Sequence, residues 1–307
     1  MKTSICTLFE NDYHLGLAGL ANSLCRHGYR GVIWAGYRGE LPPWAKPLKD
    51  CGGYHELSVA DGCRLRFVPL KTALHFCLYK PAFMMDLLRA YPQEMDALAY
   101  FDPDIVVKCE WAFFEKWLSH GVALCEDVNS PVLASHPIRC EWKKYFEPHN
   151  FKFRNDLDLY ANSGFVGVQA KDISFLEAWQ AVIGVIEKML GMPDSRQSAP
   201  RPFLFASQDQ DALNVALMCT EQPVSLIGKE GMDIVYGGFT MSHALGSLKP
   251  WRRRYVLDLI LKRKAAGLAD TQYWKYADSP LHPYSGISLR LRKADLLLAK
   301  ILSRLIK

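Results

Sequence analysis

The sequence of 307 residues lacks the features that would assign it to several special classes of protein. Its nine cysteines are scattered singly, without a Cys-x-x-Cys pair, which argues against both a disulfide framework and a zinc ribbon. No uninterrupted apolar run approaches the length of a membrane-spanning helix, and the first apolar run ends at Glu10, before a signal-peptide core could form. We therefore expect reduced cysteines and a cytoplasmic chain that is neither secreted by a signal peptide nor integral to a membrane.

Basic charge is also scarce outside the carboxyl terminus. The net charge is +5, and the last eighteen residues hold six basic side chains against the single acidic Asp295. The rest of the chain is therefore net neutral, and it lacks the excess of lysine and arginine that a nucleic-acid-binding face needs. We expect no nucleic-acid partner.

What the sequence does have is the composition of an ordinary globular protein and a regular alternation of elements. Half of the residues are apolar and 22% are charged. The predicted strands are 4–9, 31–37, 64–70, 97–107, 122–128 and 164–169, and the predicted helices are 15–27, 81–91, 111–120, 173–190 and 209–219. Such alternation predicts an α/β fold with a mostly parallel, twisted sheet flanked by helices and with ligands at the carboxyl ends of its strands. We expect a main domain over 1–251 and a basic helical region over 252–307.

Two carboxylates interrupt the apolar run at 97–107. Asp102 and Asp104 lie two residues apart, so that both can face the same way in an extended backbone, beyond the end of a strand. Together they can bind one divalent cation, which could neutralise a diphosphate leaving group. A turn that ends the strand also explains the Asp-Pro-Asp sequence, so the pair alone is a weak indication of a site.

A later loop brings three complementary groups within seven residues. His243 can complete the coordination of a metal, Gly246 would let a phosphate approach the backbone, and Lys249 offers a positive charge to a diphosphate. A lone loop histidine is more often a surface or capping residue, so this hypothesis depends on the three groups together.

Two further polar segments adjoin predicted elements. The segment 207–214, Ser-Gln-Asp-Gln-Asp-Ala-Leu-Asn, begins a helix, where acidic side chains complement the helix dipole. This explains Asp209 and Asp211 but leaves Gln210 unexplained. In the segment 160–168, Asn162 begins an Asn-Ser-Gly sequence at the entry to a strand, for which turn chemistry is a sufficient explanation.

The order and spacing of these four motifs resemble glycosyltransferase family 8, which includes bacterial lipopolysaccharide α-galactosyltransferases and, more distantly, glycogenin. Asp-x-Asp, Asn-Ser-Gly, Asp-Gln-Asp-x-x-Asn and Ser-His-x-x-Gly-x-x-Lys-Pro-Trp follow one another within residues 1–251. The resemblance implies a GT-A fold, a UDP-sugar donor and Mn²⁺ or Mg²⁺. It also implies that a hexose, galactose or glucose, is transferred with retention of configuration to a glycan acceptor, as in the synthesis of lipopolysaccharide or another cell-surface polysaccharide.

The resemblance also implies roles for single residues. The metal ligands would be Asp102, Asp104 and His243, the diphosphate contacts Gly246 and Lys249, and the donor-sugar contacts Asn162 and Asp209. Gln210, the catalytic partner of Asp209, matches the position of the family's debated nucleophile. Because a glutamine amide is a poor nucleophile, we expect Gln210 to stabilise an oxocarbenium-like transition state. Near the amino terminus, Glu10 or Asp12 would contact the base or ribose, and Lys80 would substitute for a family arginine near the nucleotide.

Two other classes of protein stay open. A sugar-1-phosphate nucleotidyltransferase would share the sheet and the acidic site, but it normally carries a Gly-rich basic loop after its first strand, and residues 7–15 have none. A non-catalytic glycan-binding descendant should have lost a metal ligand, and all three are present.

The carboxyl-terminal segment has the pattern of an interfacial helix. Drawn at about 100° per residue, one face carries Arg290, Lys293, Lys300, Arg304 and Lys307. The opposite face carries Leu291, Ala294, Leu298, Ile301, Leu302 and Leu305, while Leu289, Leu296 and Leu297 fall off this stripe. We expect peripheral attachment to the inner face of an anionic membrane, although a helix packed on the domain would show the same amphipathicity.

Overall fold

The computed structural model describes residues 1–190 and 203–305. The strands are β1 (Thr3–Glu10), β2 (Gly31–Arg38), β3 (Lys49–Asp50), β4 (His55–Ala60), β5 (Cys63–Pro69), β6 (Ala97–Phe101), β7 (Ile105–Val107), β8 (Val122–Glu126), β9 (Ala161–Gln169), β10 (Val224–Ile227) and β11 (Met241–His243). The helices are α1 (His14–Arg26), α2 (Phe76–Ala90), α3 (Trp111–Leu118), α4 (Pro137–Phe146), α5 (Ile173–Leu190), α6 (Gln208–Cys219), α7 (Tyr255–Lys262), α8 (Leu268–Lys275) and α9 (Gly286–Leu305).

The strands form a nine-stranded sheet and a separate two-stranded ribbon. The sheet order is β10-β8-β9-β6-β1-β2-β5-β4-β3, and the ribbon pairs β11 with β7. The chain divides into two compact units. Unit 1 comprises 1–8, 70–101 and 113–229, and unit 2 comprises 9–69, 102–112 and 230–307.

In unit 1, most strands run in one direction. β10 is parallel to β8 and β6 is parallel to β1, whereas β9 lies antiparallel between β8 and β6. β1 and β6 are buried along nearly their whole length, as their continuous apolar sequences predict for strands covered on both faces. α2 begins at Phe76 rather than at the predicted Pro81, because the His75 side chain accepts from the Cys77 amide and caps an earlier start.

The strand predicted at 97–107 proves to be divided into β6 of unit 1 and β7 of unit 2. β6 ends before Asp102, and β7 restarts after Asp104 and pairs antiparallel with β11. Pro103 has no amide hydrogen to donate, which favours a break there. Unit 2 also contains β2 parallel to β5, with β4 antiparallel to it. The short elements β3, β4, β10 and β11 were not predicted, because so few residues show no clear period.

The predicted fold class is confirmed: the chain is α/β, with a mostly parallel central sheet flanked by helices. The boundary proposed near residue 251 stays a prediction.

The last helix packs on unit 2 through residues that lie off its apolar stripe. Leu296 and Ala299 are buried in a core cluster that contains Trp251, Tyr255, Tyr273, Trp274 and Ala277. The Asp295 carboxylate accepts the Tyr255 amide at 2.7 Å and the Val256 amide at 3.1 Å, so α9 caps the start of α7.

This packing turns part of the basic face of α9 inward and leaves its apolar stripe exposed. Lys293 donates to Asp278 at 2.9 Å, and Lys300 donates to the Thr271 hydroxyl at 3.0 Å. The exposed apolar side chains are Ile287, Leu291, Ala294, Leu297, Leu298, Ile301 and Leu305. Lys307 lies outside the described residues. None of the helices in the described part of the chain is both long and apolar enough to cross a bilayer.

Candidate functional site

Two strands of the ribbon bring the predicted metal ligands together in unit 2. Ile105, the first residue of β7, pairs with His243, the last residue of β11. The Ala244 amide donates to the Asp104 backbone oxygen at 3.1 Å, which continues the pairing by one step. His243 is thereby held beside the turn that carries Asp102 and Asp104.

The three side chains form a tight cluster. His243 Nε2 lies 3.3 Å from Asp104 Oδ1 and 3.8 Å from Asp102 Oδ2. One ligand atom from each residue lies within 4.8 Å of the others. Asp104 and His243 are buried, and Asp102 is partly exposed, so the cluster is open on the Asp102 side.

Asp104 is ionised because of its neighbours. Burial raises the pKa of this carboxyl, but the His243 imidazole and the Lys249 ammonium outweigh burial and hold the pKa well below its usual range. Lys249 Nζ donates to Asp104 Oδ2 and, at 2.8 Å, to the Ala244 backbone oxygen. The lysine predicted to contact a diphosphate is therefore bound to a predicted metal ligand.

The donor set fits a divalent cation such as Mn²⁺ or Mg²⁺. Two carboxylates and one imidazole offer hard oxygen ligands and one nitrogen, and they leave further coordination positions for other oxygen ligands. His243 Nδ1 is buried and has no hydrogen-bond partner among the residues that the structure describes, whereas Nε2 faces both carboxylates.

Two glycines of unit 2 allow close approaches around the cluster. A Cβ built on Gly16 of α1 would lie 2.4 Å from the Pro103 backbone oxygen and 2.7 Å from the Trp251 ring. Any side chain at Gly16 would displace the turn that carries the carboxylates, and sequence analysis missed this residue. Gly246 has φ +84 and nothing within 4 Å of a built Cβ, which leaves open space at this backbone.

The acidic residues predicted to contact the nucleoside are both paired with arginines. Glu10 Oε2 accepts from Arg38 Nε at 2.9 Å and Nη2 at 2.7 Å. Asp12 accepts from Arg252 Nε at 2.6 Å, and this guanidinium lowers the pKa of Asp12. Arg252 also lies 5.2 Å from the centre of the Tyr13 ring. Neither arginine was singled out as a site residue from the sequence.

In unit 1, the two remaining motifs interlock. Tyr160 Oη donates to Asp211 Oδ1 at 2.5 Å, and the Asn214 side chain bonds both the amide and the carbonyl of Ala161, at 2.8 and 2.9 Å. The Ser163 amide donates to Gln210 Oε1 at 3.3 Å. The start of β9 is thus fastened to the first turns of α6, which accounts for the polar residues of both segments.

The predicted sugar contacts lie within this network. Lys80 Nζ, which is buried, donates to Asp209 Oδ2 at 3.2 Å and to the Ser163 backbone oxygen at 3.0 Å. Asn162 Nδ2 donates to Asp127 Oδ2 at 2.7 Å. The structure therefore brings Lys80, Asp209 and Gln210 together around Ser163.

Solved structures with this architecture provide a comparison. Over 96% of this chain and 64% of the other, it resembles the glycosyltransferase GlyE of Streptococcus pneumoniae TIGR4, with a TM-score of 0.52 and 14% identity. Over 94% of this chain and 51% of the other, it resembles the bifunctional glycosyltransferase WbbM, with a TM-score of 0.54 and 16% identity. The chain has a glycosyltransferase fold.

The chain spans about two thirds of the length of GlyE and about half that of WbbM. No protein-family model and no curated protein matches the sequence. Asp102 and Asp104 follow β6 directly in the chain.

The buried Asp211 carboxyl of unit 1 predicts a specific dependence of stability on pH. Burial raises the pKa of Asp211 to about 6, so the folded protein favours the neutral carboxyl. The stability that this group contributes is present at low pH and is lost as the pH rises from about 4 to about 6. Relative to Asp211→Asn, the free energy of unfolding of the wild type should fall by up to roughly 3 kcal/mol over that window.

Urea unfolding at several pH values would measure this difference. Asp156→Asn is the matched control, because the Lys143 ammonium lowers the pKa of Asp156 and the corresponding difference should change in the opposite sense. A wild type that gains stability relative to Asp211→Asn as the pH rises would contradict the assignment.

Proposed function

We propose that this chain is a metal-dependent, retaining glycosyltransferase that moves a hexose from a UDP-sugar to a glycan acceptor, in the synthesis of lipopolysaccharide or another cell-surface polysaccharide. The observation that carries the proposal is the buried Asp102, Asp104 and His243 cluster in a chain with a glycosyltransferase fold. The motifs that follow the same order as in family 8 support a UDP-sugar donor and retention of configuration.

In this proposal, unit 2 binds the diphosphate end of the donor. Asp102, Asp104 and His243 would hold a divalent cation, which when bound would supply electrostatic neutralisation of a diphosphate leaving group. Lys249 is proposed to contact the diphosphate directly. Open space at Gly246 supports an approach of phosphate oxygens to the backbone.

The nucleoside contacts are proposed for the amino-terminal part of unit 2. Glu10 and Asp12 are held in fixed orientations by Arg38 and Arg252, and each carboxylate retains lone pairs that can accept from ribose hydroxyls or a base. The Tyr13 ring, next to Asp12 in sequence, offers a flat face to a base.

The sugar contacts are proposed for unit 1. Asp209 would accept hydrogen bonds from hydroxyls of the donor sugar, and the Asn162 amide would donate one to them. Gln210 would stabilise an oxocarbenium-like centre while the acceptor hydroxyl attacks from the leaving-group side. Lys80 is proposed to supply a positive charge near the nucleotide, and its ion pair with Asp209 would also orient that carboxylate.

Loss of the metal ligands should abolish most turnover. Asp104→Asn or His243→Ala is expected to lower turnover by a factor of about 100 or more, because charge stabilisation of the leaving group is lost. The assay is metal-dependent hydrolysis of UDP-galactose and UDP-glucose, which reports the donor without an acceptor, together with calorimetric titration of Mn²⁺.

The matched controls are Asp61→Asn and His282→Ala, which change exposed residues of the same unit. Both should behave as the wild type. Full activity in EDTA, or in both ligand variants, would remove the metal from the mechanism. Mn²⁺ binding without turnover of any donor would favour a non-catalytic glycan-binding protein instead.

Gln210 should affect turnover more than binding. Gln210→Ala is expected to lower kcat by a factor of about 100 while the affinity for UDP changes little, because the side chain acts on charge that develops in the transition state. Steady-state kinetics and calorimetric titration with UDP separate the two effects. Gln93→Ala, an exposed change in the same unit, is the control, and normal turnover by Gln210→Ala would end the catalytic assignment.

We also propose that the chain is cytoplasmic and lies on the inner face of an anionic membrane, through the exposed stripe of α9. Leu291 is 66% exposed, whereas Leu296 on the opposite side of the helix is 7% exposed. The adjoining helix α7 adds the exposed side chains Leu257, Ile260 and Leu261. Apolar side chains at this density on two neighbouring helices are typical of an interaction surface.

Charge favours an anionic bilayer as the occupant of this surface. Arg290 and Arg304 flank the stripe on α9 and are exposed, as are Arg254, Arg263 and Lys264 around α7. Each lysine or arginine near an anionic leaflet contributes about 1 kcal/mol of attraction, to which burial of the leucines adds. A lipid-linked acceptor would be found at the same surface.

Vesicle sedimentation tests this surface. Leu291→Gln combined with Leu298→Gln should reduce binding to anionic vesicles at least tenfold, since each removes apolar area that would enter the bilayer. Val128→Gln combined with Leu133→Gln changes two exposed apolar residues of unit 1 and should bind as the wild type. Point substitutions are preferable to a truncation of α9, because a truncation would remove Leu296 and Ala299 from the core cluster.

If both double variants sediment with anionic vesicles to the same extent as the wild type, the membrane assignment is overturned. A dimeric wild type that becomes monomeric in the α9 variant would assign the surface to a second copy of the chain instead.

A further inference from the structure

A buried lysine and the proposed metal require the same carboxylate. Lys249 Nζ donates to Asp104 Oδ2, while Asp104 Oδ1 faces His243 Nε2 at 3.3 Å. Both oxygens of Asp104 are therefore engaged, one of them by a full positive charge. The ammonium takes the compensating role that a bound cation would otherwise have.

Electrostatics makes the two cations competitors. A divalent ion bound by Asp104 would lie about 2.0–2.6 Å from a carboxylate oxygen, and so within a few ångströms of an ammonium on the same group. Like charges at that separation repel strongly where little water screens them. Lys249 and Asp104 are both buried, so screening is weak.

Lys249 also has an alternative environment within reach. Its Nζ lies 5.8 Å from the centre of the Tyr13 ring, and Arg252 approaches the same ring at 5.2 Å. The Arg252 guanidinium pairs with Asp12 through Nε and Nη2, and its further N–H donors can serve an anionic ligand beside the same ring. A lysine has a flexible stem with a mobile ammonium, so it can exchange one anionic partner for another.

We propose that Lys249 is the internal counter-cation of the metal site: its ammonium occupies Asp104 in the metal-free protein and opposes metal binding until a diphosphate draws it away. This inference rests on the proposed function of Asp102, Asp104 and His243 as metal ligands. It is independent of which sugar or acceptor is used.

The consequence is a coupling between metal and nucleotide. The metal binds weakly to the free protein and more tightly in the presence of UDP, because the diphosphate attracts the ammonium that competes at Asp104. By linkage, the metal must strengthen UDP binding by the same factor. Removal of the ammonium should therefore increase the affinity for the metal in the absence of UDP. The same substitution should decrease the affinity for UDP, so its two effects have opposite signs.

Calorimetric titration of Mn²⁺, with and without UDP, tests this proposal in the full-length chain. Without UDP, Lys249→Met should bind Mn²⁺ at least ten times more tightly than the wild type, a difference of about 1.4 kcal/mol. UDP should raise the Mn²⁺ affinity of the wild type by a larger factor than that of Lys249→Met. Lys49→Met removes one exposed positive charge from the same unit and should match the wild type.

Two more variants separate the effect of the positive charge from that of the hydrogen bond to Asp104. Lys249→Arg keeps the charge and should leave Mn²⁺ affinity low, and Lys249→Gln keeps a hydrogen bond to Asp104 without the charge and should raise it. Circular dichroism establishes that each variant folds. If Lys249→Met does not fold, Lys249→Gln provides the same comparison.

The outcomes separate this proposal from the one on which it rests. If neither the wild type nor any Lys249 variant binds Mn²⁺, with or without UDP, the metal-site assignment itself is overturned. If all of them bind Mn²⁺ with equal affinity, or if Lys249→Met binds it more weakly, the site stands and the counter-cation role of Lys249 is overturned.

Discussion

The buried carboxylate of Asp104 is the interaction around which unit 2 is arranged. An ionised carboxyl away from water is strongly unfavourable unless other groups supply charge and hydrogen bonds. Here the imidazole of His243 and the ammonium of Lys249 do so. Both come from a segment more than a hundred residues later in the chain, so the ribbon of β7 and β11 must form before the carboxylate is satisfied.

The surroundings of the ribbon follow from the same requirement. Gly16 lets α1 approach the Asp-Pro-Asp turn closely enough to bury it, and Trp251 packs at the same point. A larger residue at Gly16 would open the turn to water and remove the low-dielectric setting in which Asp104 meets its partners. The burial of Asp104 and the close packing of α1 therefore depend on each other.

Unit 1 satisfies its buried polar groups with a network of side-chain and backbone hydrogen bonds. The amide of Asn214 bonds the backbone of Ala161 at both its N–H and its C=O, so a side chain stands where a neighbouring strand would otherwise be. Tyr160, just before β9, and Ser163 on β9 bond the start of α6. The ion pair with Lys80 and the bonds to Ser163 restrict the movement of Asp209 and Gln210.

The sequence by itself determined the fold class, most of the longer elements and the order of the metal-ligand motifs, because apolar periodicity and motif spacing are local properties of a chain. Only the tertiary structure decided which charges meet. Lys80 pairs with Asp209, Asp12 with Arg252, and α9 packs through Leu296 while its leucine stripe stays exposed. Periodicity describes which residues share a face of an element, but not which face the rest of the protein covers. That choice depends on packing between segments far apart in sequence, for which a single sequence carries no local signal.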